Sequence, residues 1–491
     1  MPEWRSLPEM IDLRPVGYVI GILVALLGAA MVFPLLVDLA EGRGHWPAFL
    51  ESAAITFGFG VLLAMACSNG VKKGLSIQQT FLLTTGVWLA LPLFGALPFL
   101  FGATDARYID AFFEAMSGLT TTGATVFTGL ETMPKGLLLW RGILQWLGGI
   151  GIIVVAMVFL PELRVGGMQI FKAEAFDTLG KILPKATTIA MQISVIYLSI
   201  TMLCIGSYFV VGMSAFDATV HAMTTVATGG FSNYDASFGA FSAGAEYVCV
   251  VFMLSAALPF VRYVQLINGN FFALLKDVQV KSFLLIVMFL SFLTAGIVYT
   301  NNGFGGEEAI RKALFNITSI ISGTGYASAD YGLWGGFLVT LFFIIGLIGG
   351  CAGSTACSVK IFRYQIVFAS VTTQLRKIRS PNGVFIPRYD GRAIADDVLS
   401  SVMSFFTFFM VTLGVVAILL GISGLDLITS LSASAAALAN IGPGLGNQVG
   451  PSGNYAGLND FAKWILSAAM LIGRLEILAV FAILTRQFWR A

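Results

Sequence analysis

The sequence predicts an all-α polytopic membrane protein: ten transmembrane helices with four short re-entrant helices set among them. Three observations lead there. The chain of 491 residues is 57% hydrophobic and only 11% charged, less than half the roughly 25% of charge that covers a soluble body. Ten apolar runs reach the ~20 residues that a span needs. Four segments between the later runs repeat one pattern, a modestly apolar helical stretch that ends in a Thr/Gly-rich turn.

The spans are expected at 16–37, 48–67, 77–101, 137–160, 187–211, 244–268, 282–299, 333–358, 400–421 and 461–484. The first run, Val16 to Val37, has spanning length rather than that of a signal-peptide core, so it reads as a retained helix. Ten spans put both termini on one side. With the N-terminus inside, the inner segments hold 20 of the 28 Lys and Arg residues and the outer segments seven, Arg141 among them. Arg474 is left within the last span. Both termini are therefore expected in the cytoplasm. Acids run the other way, 15 outside and 10 inside, with Glu476 in the last span. That outer excess is either tolerated because acids barely affect topology, or forms a negative mouth that concentrates cations.

Composition narrows the function. A net charge of +2 gives no basic surface for nucleic acid. Cys67, Cys204, Cys249, Cys351 and Cys357 form no CxxC pair and have no His beside them, so they read as free thiols rather than disulfides or zinc ligands. His45 and His221 stand alone and read as structural. No paired His, Ser-His arrangement or carboxylate cluster marks an enzyme.

The repeat carries most of the information. Without gaps, Asp110–Gly123 (DAFFEAMSGLTTTG) aligns with Asp217–Gly230 (DATVHAMTTVATGG), Lys312–Gly325 (KALFNITSIISGTG) and Thr429–Gly442 (TSLSASAAALANIG). The closing glycines are 107, 95 and 117 residues apart. Each unit reads as span, short helix, glycine turn, span, and the first two spans form an extra N-terminal pair. A helix of about ten residues cannot cross ~30 Å of hydrocarbon, and irregular backbone at that depth must be buried in protein or line a wet path. Four carbonyl-ended helices converging on one axis favour a cation, and the turns offer carbonyl oxygens in place of its hydration. Thr121, Thr122, Thr228 and Thr324 can add hydroxyl oxygens.

The stretches TTTGAT, ATGGFS, ISGTGYAS and NIGPGLG, with WLGGIGI after the first and MLIGRLEI after the last, resemble the bacterial Trk potassium-uptake permeases of the Trk/Ktr/HKT superfamily. The resemblance covers essentially the whole chain. It implies four potassium-channel-like M1-P-M2 repeats in pseudo-fourfold symmetry. The segments would be an N-terminal pair at 1–72 and repeats at 73–165, 166–277, 278–364 and 365–491. Carried over, the selectivity filter comprises Thr121, Thr122 and Gly123, then Thr228, Gly229 and Gly230, then Gly323, Thr324 and Gly325, then Asn440, Ile441 and Gly442. Gly229 precedes Gly230, which leaves the second filter glycine open by one residue; the ungapped alignment favours Gly230. TVGYG is absent, so moderate K⁺ preference is expected, with Rb⁺ close and some Na⁺ leak. The resemblance further implies K⁺ as the transported ion, a homodimer in the bacterial inner membrane and a cytosolic nucleotide-binding regulatory subunit of RCK type. NAD or ATP/ADP is expected on that partner and not on this chain.

Two features lie below the filter. Gly346, Gly349, Gly350 and Gly353 weaken the helix of the eighth span at roughly 1 kcal/mol each. The residues alone fit close helix packing equally well; the resemblance implies an unwound loop that gates the pore. Arg474, about eleven residues into the last span, needs a partner or water at a cost of ~2.5–3.5 kcal/mol. It is either a structural pair or a positive barrier in the ion path. In the family the matching Arg faces the pore. The basic stretch Lys360–Arg392 and the segment Pro161–Lys185 are candidate docks for the regulator. A secondary cation symporter, coupling K⁺ to Na⁺ or H⁺, is the alternative to a channel-like path.

Overall fold

The computed structural model describes residues 11–42, 44–70, 75–158 and 186–490; the segment Pro161–Lys185 lies outside them. In chain order the helices are α1 (Arg14–Ala30), α2 (Val32–Glu41), α3 (Trp46–Cys67), α4 (Ile77–Gly95), α5 (Leu97–Phe101), α6 (Tyr108–Leu119), α7 (Lys135–Val158), α8 (Ala186–Val210), α9 (Ala215–Val226), α10 (Ala243–Ala256), α11 (Phe260–Ile267), α12 (Ala273–Lys276), α13 (Val278–Asn301), α14 (Gly306–Ser322), α15 (Gly336–Gly346), α16 (Ile361–Arg379), α17 (Asp396–Ile422), α18 (Leu427–Ala439), α19 (Asp460–Arg474) and α20 (Ile477–Ile483). Among the described residues, seven helical stretches are long and apolar enough to cross a membrane alone, and two bent pairs reach that length when joined. The protein is a multi-pass helical membrane protein.

Several of the expected spans are not continuous helices. The run 333–358 is helical only over α15 and resumes at Ile361. Gly349 and Gly353 take φ of +79° and +71°, which a right-handed helix cannot hold. The run 244–268 bends by 88° between α10 and α11. Pro259 explains the break, because it has no N–H and disfavours helical angles at Leu258. The last run stops at Arg474, and Glu476 has φ +60° before α20 begins. One β pair departs from the all-α expectation. Arg388–Tyr389 and Arg392–Ala393 pair antiparallel around Asp390-Gly391, both left-handed, as a two-residue Asp-Gly hairpin turn requires.

Contacts divide the chain into two compact units. The first holds Met1–Phe112, Pro134–Leu137 and Leu475–Ala491. Its core is α1 against α3, joined through small residues. A Cβ on Gly60 would lie 2.3 Å from the Ala25 amide nitrogen, and one on Gly21 2.5 Å from that of Ala64. Only glycine lets two backbones approach so closely, the usual device of membrane helix packing. A buried clip closes the unit: Asp38 accepts from Gly136 N at 2.6 Å and pairs with His45 Nδ1 at 2.7 Å. His45 Nε2 accepts from Ala103 N at 2.9 Å.

The second unit, Phe113–Met133 with Leu138–Arg474, contains the end of α6 and the short helices α9, α14 and α18. Each of the last three packs on the span before it, α8, α13 and α17 respectively, and on the helix after it. Neighbouring sets also interlock, α10 against α14 and α15 against α18.

Candidate functional site

The four short helices end in the same way. Thr122 N donates to Ser117 O at 2.8 Å, Gly229 N to Thr224 O at 2.9 Å, Thr324 N to Ser319 O at 2.9 Å and Ile441 N to Ala436 O at 2.8 Å. Each bond spans five residues and caps the helix through a left-handed residue, the Schellman arrangement. Those left-handed residues are Thr121 (φ +53°), Thr228 (+50°), Gly323 (+79°) and Asn440 (+50°). Three carry a side chain there, which costs of order 1 kcal/mol each. Two residues on, Gly123, Gly230 and Gly325 have φ of +84°, +76° and +83°.

The turns meet one another in a ring. A Cβ on Gly123 would lie 2.0 Å from Gly229 O, one on Gly230 1.9 Å from Thr324 O, one on Gly325 2.7 Å from Gly442 N, and one on Gly442 2.9 Å from Gly123 O. The contacts thus run from the first turn through the second, third and fourth and back to the first. A cavity of about 210 Å³ opens on this ring, lined by all four glycines with Arg141 and Tyr455 among others. Asn440 Nδ2 donates to Thr122 Oγ1 at 3.0 Å and to Met470 O at 2.9 Å, tying the fourth turn to the first.

Buried charge braces the turns from behind. Glu114 on α6 accepts from Arg141 Nε on α7 at 2.8 Å, from Val126 N at 3.0 Å and from Thr125 Oγ1 at 2.9 Å. Arg141 also donates to Ser232 O at 2.7 Å and lies 4.1 Å from the Phe231 ring centroid. Arg141 belongs to the core here, not to the outer loops. Between α10 and α14 the polarity is reversed. Lys312 on α14 donates to Glu246 on α10 at 2.7 Å and to Ser328 O at 2.9 Å. At the exposed start of α14, the Arg311 guanidinium and then the Tyr247 hydroxyl hold the Glu307 carboxyl below its usual range, so this acid stays ionised. His221 sits against Asp217 O at 2.9 Å and Ser232 Oγ at 3.1 Å, a structural position.

Residues 347–360 form a loop beneath the turns, with left-handed Gly349, Gly353, Ser358 and Lys360. Ser358 Oγ donates to Gly346 O at 2.9 Å, and a Cβ on Gly350 would lie 2.5 Å from that of Ala356. The loop carries Cys357, whose thiol contacts both Thr121 Oγ1, at 3.8 Å, and the Arg474 guanidinium. Arg474 also donates to Gly148 O at 3.2 Å and is 3% exposed. Through Cys357, the loop that carries Gly349, Gly350 and Gly353 after Gly346 touches both Arg474 and the turn residue Thr121. The basic stretch fares differently. Lys360 and Arg363 are buried, with the Arg363 guanidinium 3.7 Å from the Phe405 ring centroid, so neither offers a docking surface. Arg376, Lys377, Arg379, Arg388 and Arg392 are exposed.

The sequence reading missed Glu114, Gln145, Cys357 and Tyr455. An acid in the apolar middle of a short helix was a usable signal for Glu114. Cys357 and Arg474 are too distant in sequence for any local signal.

A helical membrane bundle that aims four capped turns at one ring, with an Arg and an unwound loop beside it, belongs to the class of membrane transport proteins. The TrkH family, described as cation transport protein, matches residues 45–488, and this chain belongs to it. It is a transporter and not an enzyme. The chain is 41% identical over 485 residues to the Trk system potassium uptake protein TrkI of Halomonas elongata, covering 97% of each. It is 34% identical over 484 residues to the Trk system potassium uptake protein TrkH of Escherichia coli K12, covering 97% of this chain and 99% of that one. The crystal structure of the potassium transporter TrkH from Vibrio parahaemolyticus matches with a TM-score of 0.90 at 32% identity, over 98% of this chain and 100% of that chain.

Proposed function

We propose that this chain takes up K⁺ through the ring of four turns. The ring itself carries the reading: four glycine turns that contact one another in a closed cycle leave carbonyl oxygens as the main groups available to an ion. The filter residues are those of the four capped turns: Thr121, Thr122, Gly123, Thr228, Gly229, Gly230, Gly323, Thr324, Gly325, Asn440, Ile441 and Gly442. The similarity to Trk system potassium uptake proteins supports K⁺ as the ion. Loop 347–360 is the gate, and Arg474 is a positive barrier under the filter that Cys357 helps to hold. In this reading ten spans form four repeats and an N-terminal pair, both termini are cytoplasmic, and the protein works as a homodimer in the inner membrane. A cytosolic RCK-type subunit that binds NAD or ATP/ADP moves the gate.

The test is ⁸⁶Rb⁺ uptake into liposomes containing the purified chain, with K⁺, Na⁺ and Cs⁺ as competitors. K⁺ should compete best and Na⁺ worst. Uptake indifferent to K⁺ refutes the proposal.

A further inference from the structure

Two buried side chains outside the four turns hold carbonyl groups of the ring, and they do so at opposite positions. The cycle of contacts places the second turn across from the fourth. At the second, Gln145 Nε2 donates to Gly229 O at 2.7 Å, and its Oε1 accepts from Phe231 N at 3.1 Å. Gln145 thereby brackets Gly230. It lies one helical turn beyond Arg141 on α7, so both face the same neighbouring turn. At the fourth, the Tyr455 hydroxyl donates to Gly442 O at 3.0 Å. Tyr455 N donates to Thr125 O at 2.9 Å, and the ring packs on Phe113 at 5.5 Å between centroids. Gln145 is fully buried and Tyr455 is 3% exposed. The two carbonyls stand one register position apart, since Gly229 aligns with Ile441 and Gly230 with Gly442. Among the described residues, no side chain donates to the carbonyl of Thr122, Gly123, Thr324 or Gly325.

We infer that Gln145 and Tyr455 are positioning residues that set cation discrimination by keeping the ring from contracting around an ion smaller than K⁺. The inference rests on the filter reading above. A carbonyl ring discriminates through its size and through the number and field strength of its dipoles. A carbonyl that already accepts a bond from a buried donor has a fixed direction. Swinging it inward to reach Na⁺ breaks that bond and takes the donor's partner away. The loss of one net hydrogen bond is a factor of about threefold to tenfold in an equilibrium. Among the described residues the first and third turns lack such tethers, so the restraint acts on the second and fourth turns.

The experiment compares ⁸⁶Rb⁺ uptake in liposomes for the full chain, Tyr455→Phe, Gln145→Met and Gly123→Ser, each with Na⁺ as competitor. Tyr455→Phe removes one oxygen and keeps the ring that packs on Phe113, so it decides the matter even if Gln145→Met does not fold. Uptake should persist in Tyr455→Phe, with Na⁺ competing about threefold to tenfold better. A role in stability alone would reduce the amount of active protein and leave the Na⁺ competition unchanged. An unchanged ratio in Tyr455→Phe alongside a shifted ratio in Gly123→Ser overturns the inference and leaves the filter reading standing. Unchanged ratios in both overturn the filter reading, and the inference with it.

Discussion

Replacing Glu114 by Gln changes almost nothing in size and removes one buried charge. Glu114 is fully buried and Arg141 is 1% exposed. Once the carboxylate is neutral, the Arg141 guanidinium keeps its bond to Ser232 O but loses its counter-charge. Removing one partner of a buried ion pair costs about 3–5 kcal/mol. Arg141→Met should cost a similar amount from the other side, leaving the carboxylate with Val126 N and Thr125 Oγ1 alone. The double variant has no orphaned charge. It should cost no more than one single variant, a coupling of about 3 kcal/mol in a double-mutant cycle. The assay is SDS titration of the full chain in detergent micelles, for the wild type and all three variants. A Glu114→Gln cost within about 1 kcal/mol of zero, or strict additivity in the double variant, refutes the argument. Both singles should also lower Rb⁺ uptake, because the pair joins the first turn to the second.

Three further outcomes are expected. Gly123→Ser and Gly325→Ser, each forcing a side chain onto a left-handed residue against a neighbouring turn, should lower the K⁺ over Na⁺ preference; unchanged permeability ratios in both remove these glycines from the filter. Arg474→Ala should raise Rb⁺ flux without the regulator by roughly thirtyfold, the ~2 kcal/mol that two unit charges share across ~8 Å at an effective dielectric of ~20; flux at or below wild type counts against a barrier. Deleting Gly349–Gly353 should leave a leakier pore, and a folded but silent protein argues against the gate.

The repeat was legible because four turns stand at one ungapped offset, and a glycine at the close of each is easy to see. The residue that reverses each helix was not. It is Thr121, Thr228, Gly323 and Asn440, two threonines, a glycine and an asparagine, and only the left-handed backbone and the five-residue capping bond mark them. The helix break at 475–476 was also hidden. Leu475 and Glu476 are good helix formers, so local preference gives no sign that α19 ends at Arg474. Arg141 was visible as a base within an apolar run, yet counting charges by loop assigned it to the surface. Cys357, Gln145 and Tyr455 act on partners brought near only by the fold.

The bend after Ala256 and the unwound loop solve one problem together. A helix that stops at Gly346 leaves polar backbone at membrane depth, and so does one interrupted at Pro259; each such group must find a partner within the protein. They find each other. Cys351 N donates to Ala257 O at 3.1 Å, Thr355 N and Thr355 Oγ1 donate to Ala256 O at 3.3 and 3.0 Å, and Phe260 N donates to Gly353 O at 2.9 Å. Ala352 N adds a bond to Gln279 Oε1 at 2.9 Å. If the loop is the gate, opening it breaks these bonds at roughly 0.5–1.5 kcal/mol each, several kcal/mol in all. A cost near 5 kcal/mol leaves the open state populated below about one part in a thousand. Opening then requires something that binds the open arrangement more tightly than the closed one, which is the role the proposed cytosolic subunit would fill.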